Sequence, residues 1–352
     1  MDLHGGNIYK LKREGKGELL DYSSNINPLG VPEKFKKSVI ENFDILEKYP
    51  DPDYIELRES IRKYNNIDIE NIVVGNGATE ILFLYMKSLK PKKAFVVAPS
   101  FAEYRRALES IDCEIEYFIL DERENFNLNV EKFINSIPQC DLVVICNPNN
   151  PTGNFISLEN IQRINGELKK KDIKLFIDEA FIEFIKGWEK LTAVNLKDSN
   201  IFIMRALTKF FAVPGLRLGY GISYDKEIMK TLPKYKEPWS INSFADIAGK
   251  TMLWDREYIE KSESWIEEEK VWFYNEVLKI EGIKAYRTNT NFMLIQLLNK
   301  SSNEVREKLI ERGIVVRDAS NFVGLNNHYI RFAIKDRKNN MKVLKNLAEV
   351  VR

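Results

Sequence analysis

Short apolar runs rich in β-branched residues alternate with longer segments of helical periodicity between residues 72 and 223. The predicted strands are IVVG, AFVVAP, IEYFIL, DLVVICNP, KLFIDEA, IFIMRAL and LGYGIS. Between them, TEILFLYMKSL and LENIQRINGELKKK carry apolar residues at helical spacing, with charged residues on the opposite face. This alternation predicts an α/β fold, in which helices flank a mostly parallel sheet.

The pattern changes after about residue 225. A long charged segment, REYIEKSESWIEEEKVWFYNEVLKI, predicts a helix, and NFMLIQL, GIVVRD and HYIRFAI predict strands. The first 30 residues have little periodicity, so we expect them to pack against this second region or over the functional site. We therefore predict a large domain at residues 35–240, and a smaller α+β domain formed by residues 241–352 with an N-terminal arm, residues 1–34.

The stretch RALTKFFAVPGLRLGY, from Arg205 to Tyr220, sets Lys209 directly after a buried apolar run. Lys209 is thus predicted at the carboxyl end of a strand, where open α/β sheets bind their ligands. A lysine there can form a Schiff base with an aldehyde, as in proteins that hold pyridoxal phosphate, and Arg217 can bind a phosphate with its planar guanidinium group. The alternative is an ordinary surface lysine beside a turn.

Composition narrows the possible functions. The 352 residues include 53 basic and 52 acidic side chains with no dense basic block, so we expect no nucleic-acid partner. The three cysteines lack CxxC spacing, and His4 and His328 are the only histidines, so we expect no disulfide framework, no metal site and no histidine-based triad. Met1 leads into no apolar signal, and no apolar run approaches the roughly 20 residues of a membrane span, which predicts a cytoplasmic protein.

The segment GNGATE, residues 75–80, follows a predicted strand and begins a helix. The backbone amides of Gly77, Ala78 and Thr79 can therefore point to an anion, such as a phosphate, at the positive end of that helix. A glycine turn with Thr79 as the N-cap explains the same residues without a ligand.

Asp178 ends the buried run KLFID, where an ionised carboxylate is costly unless a partner compensates it. A protonated pyridine nitrogen is such a partner, and Asp178 would keep it charged. Two alternatives stay open, in which Asp178 only caps the turn or Glu179 is the important acid. In the loop CNPNNPTG, residues 146–153, Asn150 could donate to the ring oxygen of a cofactor or only shape the turn.

Aromatic and cationic side chains supply further candidates. Phe101 in PSFAEY could stack on a cofactor ring and Tyr49 in EKYPDPDY could donate to its phosphate, although both could simply pack. Arg317 and Arg331 lie within or beside predicted strands near the C-terminus. Paired guanidinium groups could clamp a substrate with two anionic groups, and salt bridges within the protein are the alternative.

These motifs, in this order, resemble those of the class I/II aminotransferases, a family of fold-type I pyridoxal-phosphate enzymes, over nearly the whole chain. Lys209, Asp178, Asn150 and Arg217 occupy the signature positions of that family. Within it, the resemblance is to enzymes that decarboxylate L-threonine O-3-phosphate for cobalamin biosynthesis. It rests on HGGN at residues 4–7, DYSSNINPLG at residues 21–30, EKYPDPDY, GNGATE, SFAEY, DEAFIEF, LTKFFAVPGLRLGY and PWSIN. Histidinol-phosphate aminotransferases share most of the rest and are the alternative.

The resemblance implies a role for each site residue and a homodimer with shared sites. Catalysis would use Lys209, as the Schiff-base lysine, and Asp178. Pyridoxal phosphate would be held by Lys209, Asp178, Asn150, Gly77, Ala78, Thr79, Phe101, Thr208, Arg217 and, from the neighbouring subunit, Tyr49. A small phosphorylated amino-acid substrate would be held by His4, Gly5, Asn25, Asn150, Arg317 and Arg331.

The sequence departs from its relatives at two positions. Ala206 stands three residues before Lys209, where relatives usually have a serine or threonine that binds the cofactor phosphate. Phe181 stands where aminotransferases generally have a tyrosine that bonds the ring oxygen. We therefore expect one hydroxyl fewer in the phosphate site, and we interpret Phe181 as support for the decarboxylase branch.

Overall fold

The apolar runs form strands in the structure, a computed structural model that describes residues 5–352. The strands are β1 Leu20–Asp21, β2 Ile72–Asn76, β3 Lys93–Ala98, β4 Glu114–Ile119, β5 Leu142–Cys146, β6 Lys174–Asp178, β7 Ile201–Ala206, β8 Leu218–Ser223, β9 Ile283–Ala285, β10 Phe292–Leu297, β11 Ile314–Val315, β12 Arg317–Asp318 and β13 Tyr329–Ala333. The α-helices are α1 Tyr9–Arg13, α2 Glu33–Glu41, α3 Ile55–Asn65, α4 Ala78–Leu89, α5 Glu103–Glu109, α6 Val130–Ser136, α7 Leu158–Lys170, α8 Leu207–Phe210, α9 Lys226–Thr231, α10 Ser243–Thr251, α11 Arg256–Val277, α12 Ser302–Glu311 and α13 Arg337–Val351.

The large sheet has seven strands in the order β2-β8-β7-β6-β5-β3-β4. All neighbouring pairs are parallel except those of β8, which runs antiparallel to both β2 and β7. The predicted α/β class with a mostly parallel sheet is confirmed. The other six strands end at the edge at which β8 begins. The segments after β2, β3, β5, β6 and β7 therefore meet there with Arg217, directly before β8.

Both faces of the large sheet are buried, which explains why its strands read as continuous apolar runs. Successive side chains point to opposite faces. In β6, Phe176 belongs to the core cluster on the α4 side, whereas Ile177 belongs to the main core cluster on the other side. In β5, Val144 belongs to the cluster on the α4 side and Val143 belongs to the main cluster.

The C-terminal region forms an antiparallel sheet of four strands in the order β12-β13-β10-β9, with α11, α12 and α13. β1 of the N-terminal arm pairs with β11 in a separate parallel pair, so the arm joins the C-terminal region, as expected. In the register of β12 with β13, Arg317 lies directly opposite Arg331. The domain boundaries at residues 35–240 stay a prediction.

A buried ion network ties the end of β7 to the segment after β6. Arg205 is 0% exposed, and its guanidinium donates to Glu179 Oε2 at 2.9 Å and to Glu183 Oε1 at 3.0 Å. It also donates to Thr192 Oγ1 at 2.9 Å and lies 4.7 Å from the Trp188 ring centroid. Glu179 is therefore a structural ion-pair partner in this network.

We expect Arg205→Met to lower the free energy of unfolding by about 3–5 kcal/mol, because it leaves the Glu179 and Glu183 carboxylates buried without a cation. Methionine occupies much of the space of the arginine stem, so cavity formation contributes little. Urea unfolding measures the loss. Arg163→Met, which removes only a surface pair with Glu131, is the control and should cost no more than about 1 kcal/mol. Equal losses in the two variants would contradict a structural role for the network.

Candidate active site

One cavity of about 200 Å³ lies at the carboxyl edge of the large sheet and brings most of the predicted site residues together. It is lined by Gly5, Asn25, Ala78, Thr79, Phe101, Asn150, Asp178, Thr208, Lys209, Arg217, Arg317 and Arg331. Gly77 directly precedes Ala78 and Thr79 in the chain, and His4 lies outside the described residues. The cavity thus joins the large sheet, the N-terminal arm and the antiparallel sheet in one site.

Lys209 follows β7 in the single turn of α8. Burial is the main cause that lowers the pKa of its amine to about 8, and the positive charges of Arg217 and Arg331 lower it further. The protonated form is disfavoured because it is poorly solvated and repelled by two guanidinium groups. A larger fraction of the amine is therefore neutral near neutral pH than in an exposed lysine, as a nucleophile for an aldehyde requires.

Asp178, at the end of β6, is almost fully buried, and burial raises the pKa of its carboxyl to about 6. Two donors oppose this shift. The Tyr104 hydroxyl donates to Oδ2 at 2.5 Å, and the Ala180 backbone N–H donates to Oδ1 at 2.8 Å. Asp178 is therefore held in place and remains mostly ionised at neutral pH, which suits a partner for a cationic ring nitrogen.

Tyr104 is a functional residue that the sequence interpretation missed. Burial, followed by the charge of Asp178, holds the pKa of its phenol well above the usual value, so the hydroxyl keeps its proton and acts as a donor. Tyr104 lies in the first turn of α5, three residues after Phe101, and SFAEY contains both. The two rings contact edge-on with 5.7 Å between their centroids, and the position of Tyr104 in the same short segment after a strand was the available signal.

The phosphate end of the site depends on two glycines. A Cβ atom on Gly219 would lie 2.3 Å from the Ala78 backbone nitrogen, and a Cβ atom on Gly77 would lie 2.4 Å from Arg217 Nη2. Gly77 also has a φ of 80°, in the region that favours glycine, and it, rather than Thr79, is the N-cap of α4. The first amides of a 12-residue helix thus lie beside an arginine, which suits a phosphate dianion.

The opposite end of the cavity holds Arg317 and Arg331. Arg331 donates to Asn150 Oδ1 and, at 2.7 Å, to the Ser23 carbonyl, whereas its Nε has no hydrogen-bond partner in the described part of the chain. Arg317 donates to Asn321 Oδ1 at 2.7 Å. Burial, with the charge of Arg317, lowers the pKa of Arg331 to about 9. Like charges directly opposite on neighbouring strands repel each other, so an anionic ligand would stabilise this end.

Asn25 and Asn150 complete this end. Asn25 Oδ1 is buried and has no hydrogen-bond partner among residues 5–352. Asn150 accepts from Arg331 through Oδ1, and its amide nitrogen makes no hydrogen bond in the same part of the chain. That nitrogen is therefore free to donate to a ligand, which is the interaction that the sequence interpretation assigned to Asn150.

Ser23 and Ser24 also line the cavity and were not among the predicted site residues. Each hydroxyl donates to the Asp21 carboxylate at 2.6 Å, and the Gly6 N–H donates to Ser23 Oγ at 2.7 Å. These bonds hold the N-terminal arm at the wall of the cavity. DYSSN supports the resemblance to the family, and the position of both serines directly before Asn25 was the signal for their role.

The two departures from the family pattern both line the cavity. Ala206 adds no hydroxyl to the phosphate end, where Thr79 and Thr208 are present. The Phe181 ring packs edge-on against Phe292 at 5.0 Å between centroids, so this part of the wall is apolar.

Tyr49 does not join the cavity within one chain. It is 81% exposed, and its ring lies 4.9 Å from that of Trp239. Its role toward the cofactor of a neighbouring subunit stays a prediction.

The arrangement fits pyridoxal phosphate. The N-terminus of α4 and Arg217 suit its phosphate, Lys209 suits its aldehyde and Asp178 suits its ring nitrogen, while Phe101 supplies an aromatic wall. Within residues 5–352, no group of three or more His, Cys, Asp and Glu side chains is arranged to hold a metal ion. Each helix in the same part of the chain is too short or too polar to cross a membrane.

Comparison with known proteins identifies relatives over nearly the whole chain. Residues 17–347 match the family model of aminotransferase class I and II. The chain is 43% identical over 346 residues to a protein of Caldanaerobacter subterraneus subsp. tengcongensis that is provisionally named a threonine-phosphate decarboxylase, with 98% of this chain and 92% of the relative covered. It is 34% identical over 351 residues to the threonine-phosphate decarboxylase of Salmonella typhimurium, with 99% and 96% covered.

A solved structure, the histidinol-phosphate aminotransferase from Clostridium acetobutylicum, matches with a TM-score of 0.89 and 40% identity, covering 95% of this chain and 99% of that chain. The resemblance inferred from the motifs is thus confirmed. Relatives of both kinds, decarboxylase and aminotransferase, share the fold.

We expect Tyr104→Phe to weaken the binding of pyridoxal phosphate most strongly at acidic pH. The Asp178 carboxylate suits the ring nitrogen as an anion, so affinity should fall as the pH drops through its pKa of about 6. Loss of a hydrogen-bond donor to a charged group costs about 1.5–3 kcal/mol. The midpoint of the pH dependence of cofactor binding should therefore move up by about one to two pH units. Equilibrium dialysis of the cofactor against the variant at several pH values measures the midpoint.

Tyr85→Phe is the matched control for this prediction. Tyr85 is buried in the same core cluster and stacks on Phe202 at 4.2 Å, but it does not line the cavity. Its variant should keep the wild-type midpoint. The same midpoint in all three proteins would show that Tyr104 does not support the charge of Asp178.

Proposed function

This chain belongs to the aminotransferase class I and II family, and on that basis we propose that it decarboxylates L-threonine O-3-phosphate to (R)-1-amino-2-propanol O-2-phosphate and carbon dioxide. It is an enzyme, and its cofactor is pyridoxal phosphate. We propose further that the product serves cobalamin biosynthesis, as the motif resemblance implies. Similarity to two proteins named as threonine-phosphate decarboxylases supports this substrate.

The observation that carries the proposal is the pair of buried arginines on the substrate side of the cavity. Arg317 and Arg331 lie opposite each other in the register of β12 and β13, and both line the cavity with Asn25 and Gly5. A guanidinium group binds a carboxylate or a phosphate through two parallel hydrogen bonds. L-Threonine O-3-phosphate has one group of each kind, so it can satisfy both arginines at once.

The residues of the cavity suit a decarboxylation. Bound pyridoxal phosphate supplies an electron sink for the bond that breaks at the substrate Cα, and the charge of Asp178 maintains that sink. Arg331 would hold the Cα carboxylate, and its orientation selects the bond that breaks. When the carboxylate leaves as carbon dioxide, Cα keeps the electron pair and takes up one proton. Lys209, with a pKa of about 8, can hold and deliver that proton at Nζ near neutral pH.

A histidinol-phosphate aminotransferase is the second candidate, because a solved structure with that name is 40% identical to this chain. The two substrates share a phosphate and an amine, and they differ in that histidinol phosphate has no carboxylate. The apolar wall at Phe181 favours the decarboxylase, since aminotransferases of the family generally have a tyrosine hydroxyl there.

The test is to incubate the purified, cofactor-loaded protein with O-phosphothreonine and no keto-acid acceptor, and to measure released carbon dioxide. We expect one carbon dioxide for each substrate consumed, with repeated turnover. Lys209→Ala is the control and should release none above background, because it lacks the amine that holds the cofactor and the proton. Turnover of histidinol phosphate with 2-oxoglutarate, without carbon dioxide from O-phosphothreonine, would instead establish the second candidate.

We also propose that the enzyme is a homodimer with shared sites. Exposed apolar side chains include Tyr49 and Trp239, whose ring centroids lie 4.9 Å apart, and Phe43, which contacts the Phe244 ring at 5.7 Å. A patch of this kind is typical of a protein interface. Sedimentation equilibrium should give twice the 41.1 kDa chain mass, and a single-chain mass at micromolar concentration would contradict the proposal.

A further inference from the structure

A buried aromatic ring packs against Arg331, the arginine that we assign to the substrate carboxylate. The guanidinium group of Arg331 lies over the ring of Phe292, with 5.3 Å between Cζ and the ring centroid. Arg331 lines the active-site cavity, whereas Phe292 does not line it, is 0% exposed and belongs to the main core cluster. The ring therefore supports the guanidinium from the core and not from the side of a ligand.

The register of β10 with β13 explains this contact. Arg331 lies directly opposite Leu294, and Phe292 precedes Leu294 by two residues, so all three side chains point to the same face of the sheet. Diagonal neighbours of this kind lie within reach of aromatic and long side chains. The residue directly opposite Phe292 is Ala333, whose small side chain leaves room for the ring beside Arg331.

A second ring fixes the position of Phe292. The rings of Phe181 and Phe292 meet edge-on, with 5.0 Å between centroids and 76° between planes. This geometry is favourable because the positive edge of one ring meets the negative face of the other. Phe181 follows β6 and lines the cavity, so it joins the ring under Arg331 to the large sheet that carries Asp178.

An aromatic face suits an arginine that has to bind an anionic ligand. The ring attracts the cation without accepting a hydrogen bond from the N–H groups in the guanidinium plane. A carboxylate in the same place would neutralise the charge that the ligand needs. The printed acceptors of Arg331, Asn150 Oδ1 and the Ser23 carbonyl, are neutral as well. These three contacts together orient the guanidinium without neutralising it.

We propose that Phe292 is a positioning residue that holds the guanidinium of Arg331 in the orientation that binds the substrate carboxylate. The inference rests on the proposed function for the assignment of that carboxylate to Arg331. A carboxylate that is bound through two parallel hydrogen bonds requires the guanidinium plane to be fixed. Loss of the ring should therefore weaken ligands through their carboxylate, and ligands without a carboxylate should not respond.

The binding test compares two ligands in Phe292→Leu, which replaces the ring by an apolar side chain. L-Threonine has an amine and a carboxylate, and O-phosphoethanolamine has an amine and a phosphate. Each is titrated into the cofactor-loaded protein and followed by the absorbance of the bound cofactor. The dissociation constant of L-threonine should rise about three- to tenfold, and that of O-phosphoethanolamine should stay within about twofold. Equal changes for the two ligands would overturn the proposal, because a merely structural role affects both.

The matched control is Phe184→Leu, which makes the same change in the same core cluster. Phe184 is 0% exposed, and its ring centroid lies 6.2 Å from that of Phe181, but it does not line the cavity and is not the ring under Arg331. Both ligands should bind this variant within about twofold of the wild-type affinity. A loss for L-threonine as large as that in F292L would mean that only packing in the cluster matters, and would overturn the proposal.

A double-variant cycle tests whether Phe292 acts through Arg331. Because R331Q removes the guanidinium group, adding F292L to it should weaken L-threonine no further. Independent, additive losses from the two substitutions would overturn the proposal. If F292L retains no cofactor, F292M, which keeps a longer apolar side chain, takes its place in both comparisons.

These measurements separate failure of this inference from failure of the proposed function, because neither ligand has to be turned over. If O-phosphothreonine is not decarboxylated, the proposed function fails. The contrast between L-threonine and O-phosphoethanolamine in F292L and F184L then still decides the role of Phe292.

Discussion

Repulsion among the positive charges that line one cavity is the constraint on which the site depends. Lys209, Arg217, Arg317 and Arg331 line one cavity, and Asp178 is the acidic residue that lines it with them in the described part of the chain. This repulsion contributes, with burial, to the lowered pKa values of Lys209 and Arg331. A protein tolerates such an arrangement when a ligand supplies the missing negative charge. A cofactor phosphate at one end and, under the proposed function, a doubly anionic substrate at the other would supply that negative charge.

Hydrogen bonds and ion pairs in the surrounding scaffold hold these charged side chains in place. Asp178 has fixed donors on both carboxylate oxygens, and the next residue, Glu179, is anchored by Arg205. Arg205 directly precedes Ala206, the last residue of β7. Ala206 in turn lies three residues before Lys209. The lysine and the aspartate therefore extend from neighbouring strands that one buried ion network holds together. Catalytic groups need this kind of support, because small displacements cost much of the rate.

The strands of the large sheet could be predicted because burial on both faces demands continuous apolar runs, which are visible in the sequence. Lys209, Asp178 and Asn150 could be predicted to converge because each follows a parallel strand, and such strands end at one edge. Tertiary partnerships could not be predicted in the same way. The partners of Arg205 depend on how the segment after β6 folds back, and the pairing of Arg317 with Arg331 depends on a strand register that apolar periodicity does not specify. The predicted role of Tyr49 would depend on a second chain.

The cofactor end of the site and the substrate end differ in what they can reveal about the reaction. The N-terminus of α4, Arg217, Lys209 and Asp178 suit pyridoxal phosphate whether the reaction is decarboxylation or transamination. Under the proposed function, the choice between the two reactions would depend on how Arg331, which donates to the Ser23 carbonyl of the arm, orients the substrate Cα. Arg331 bonds both to the Asn150 side chain, after β5, and to the arm, so a shift of the arm changes the angle at which a carboxylate is held. Under the proposed function, reaction specificity would therefore depend on the contact between the arm and the antiparallel sheet, and not on the sheet that binds the cofactor.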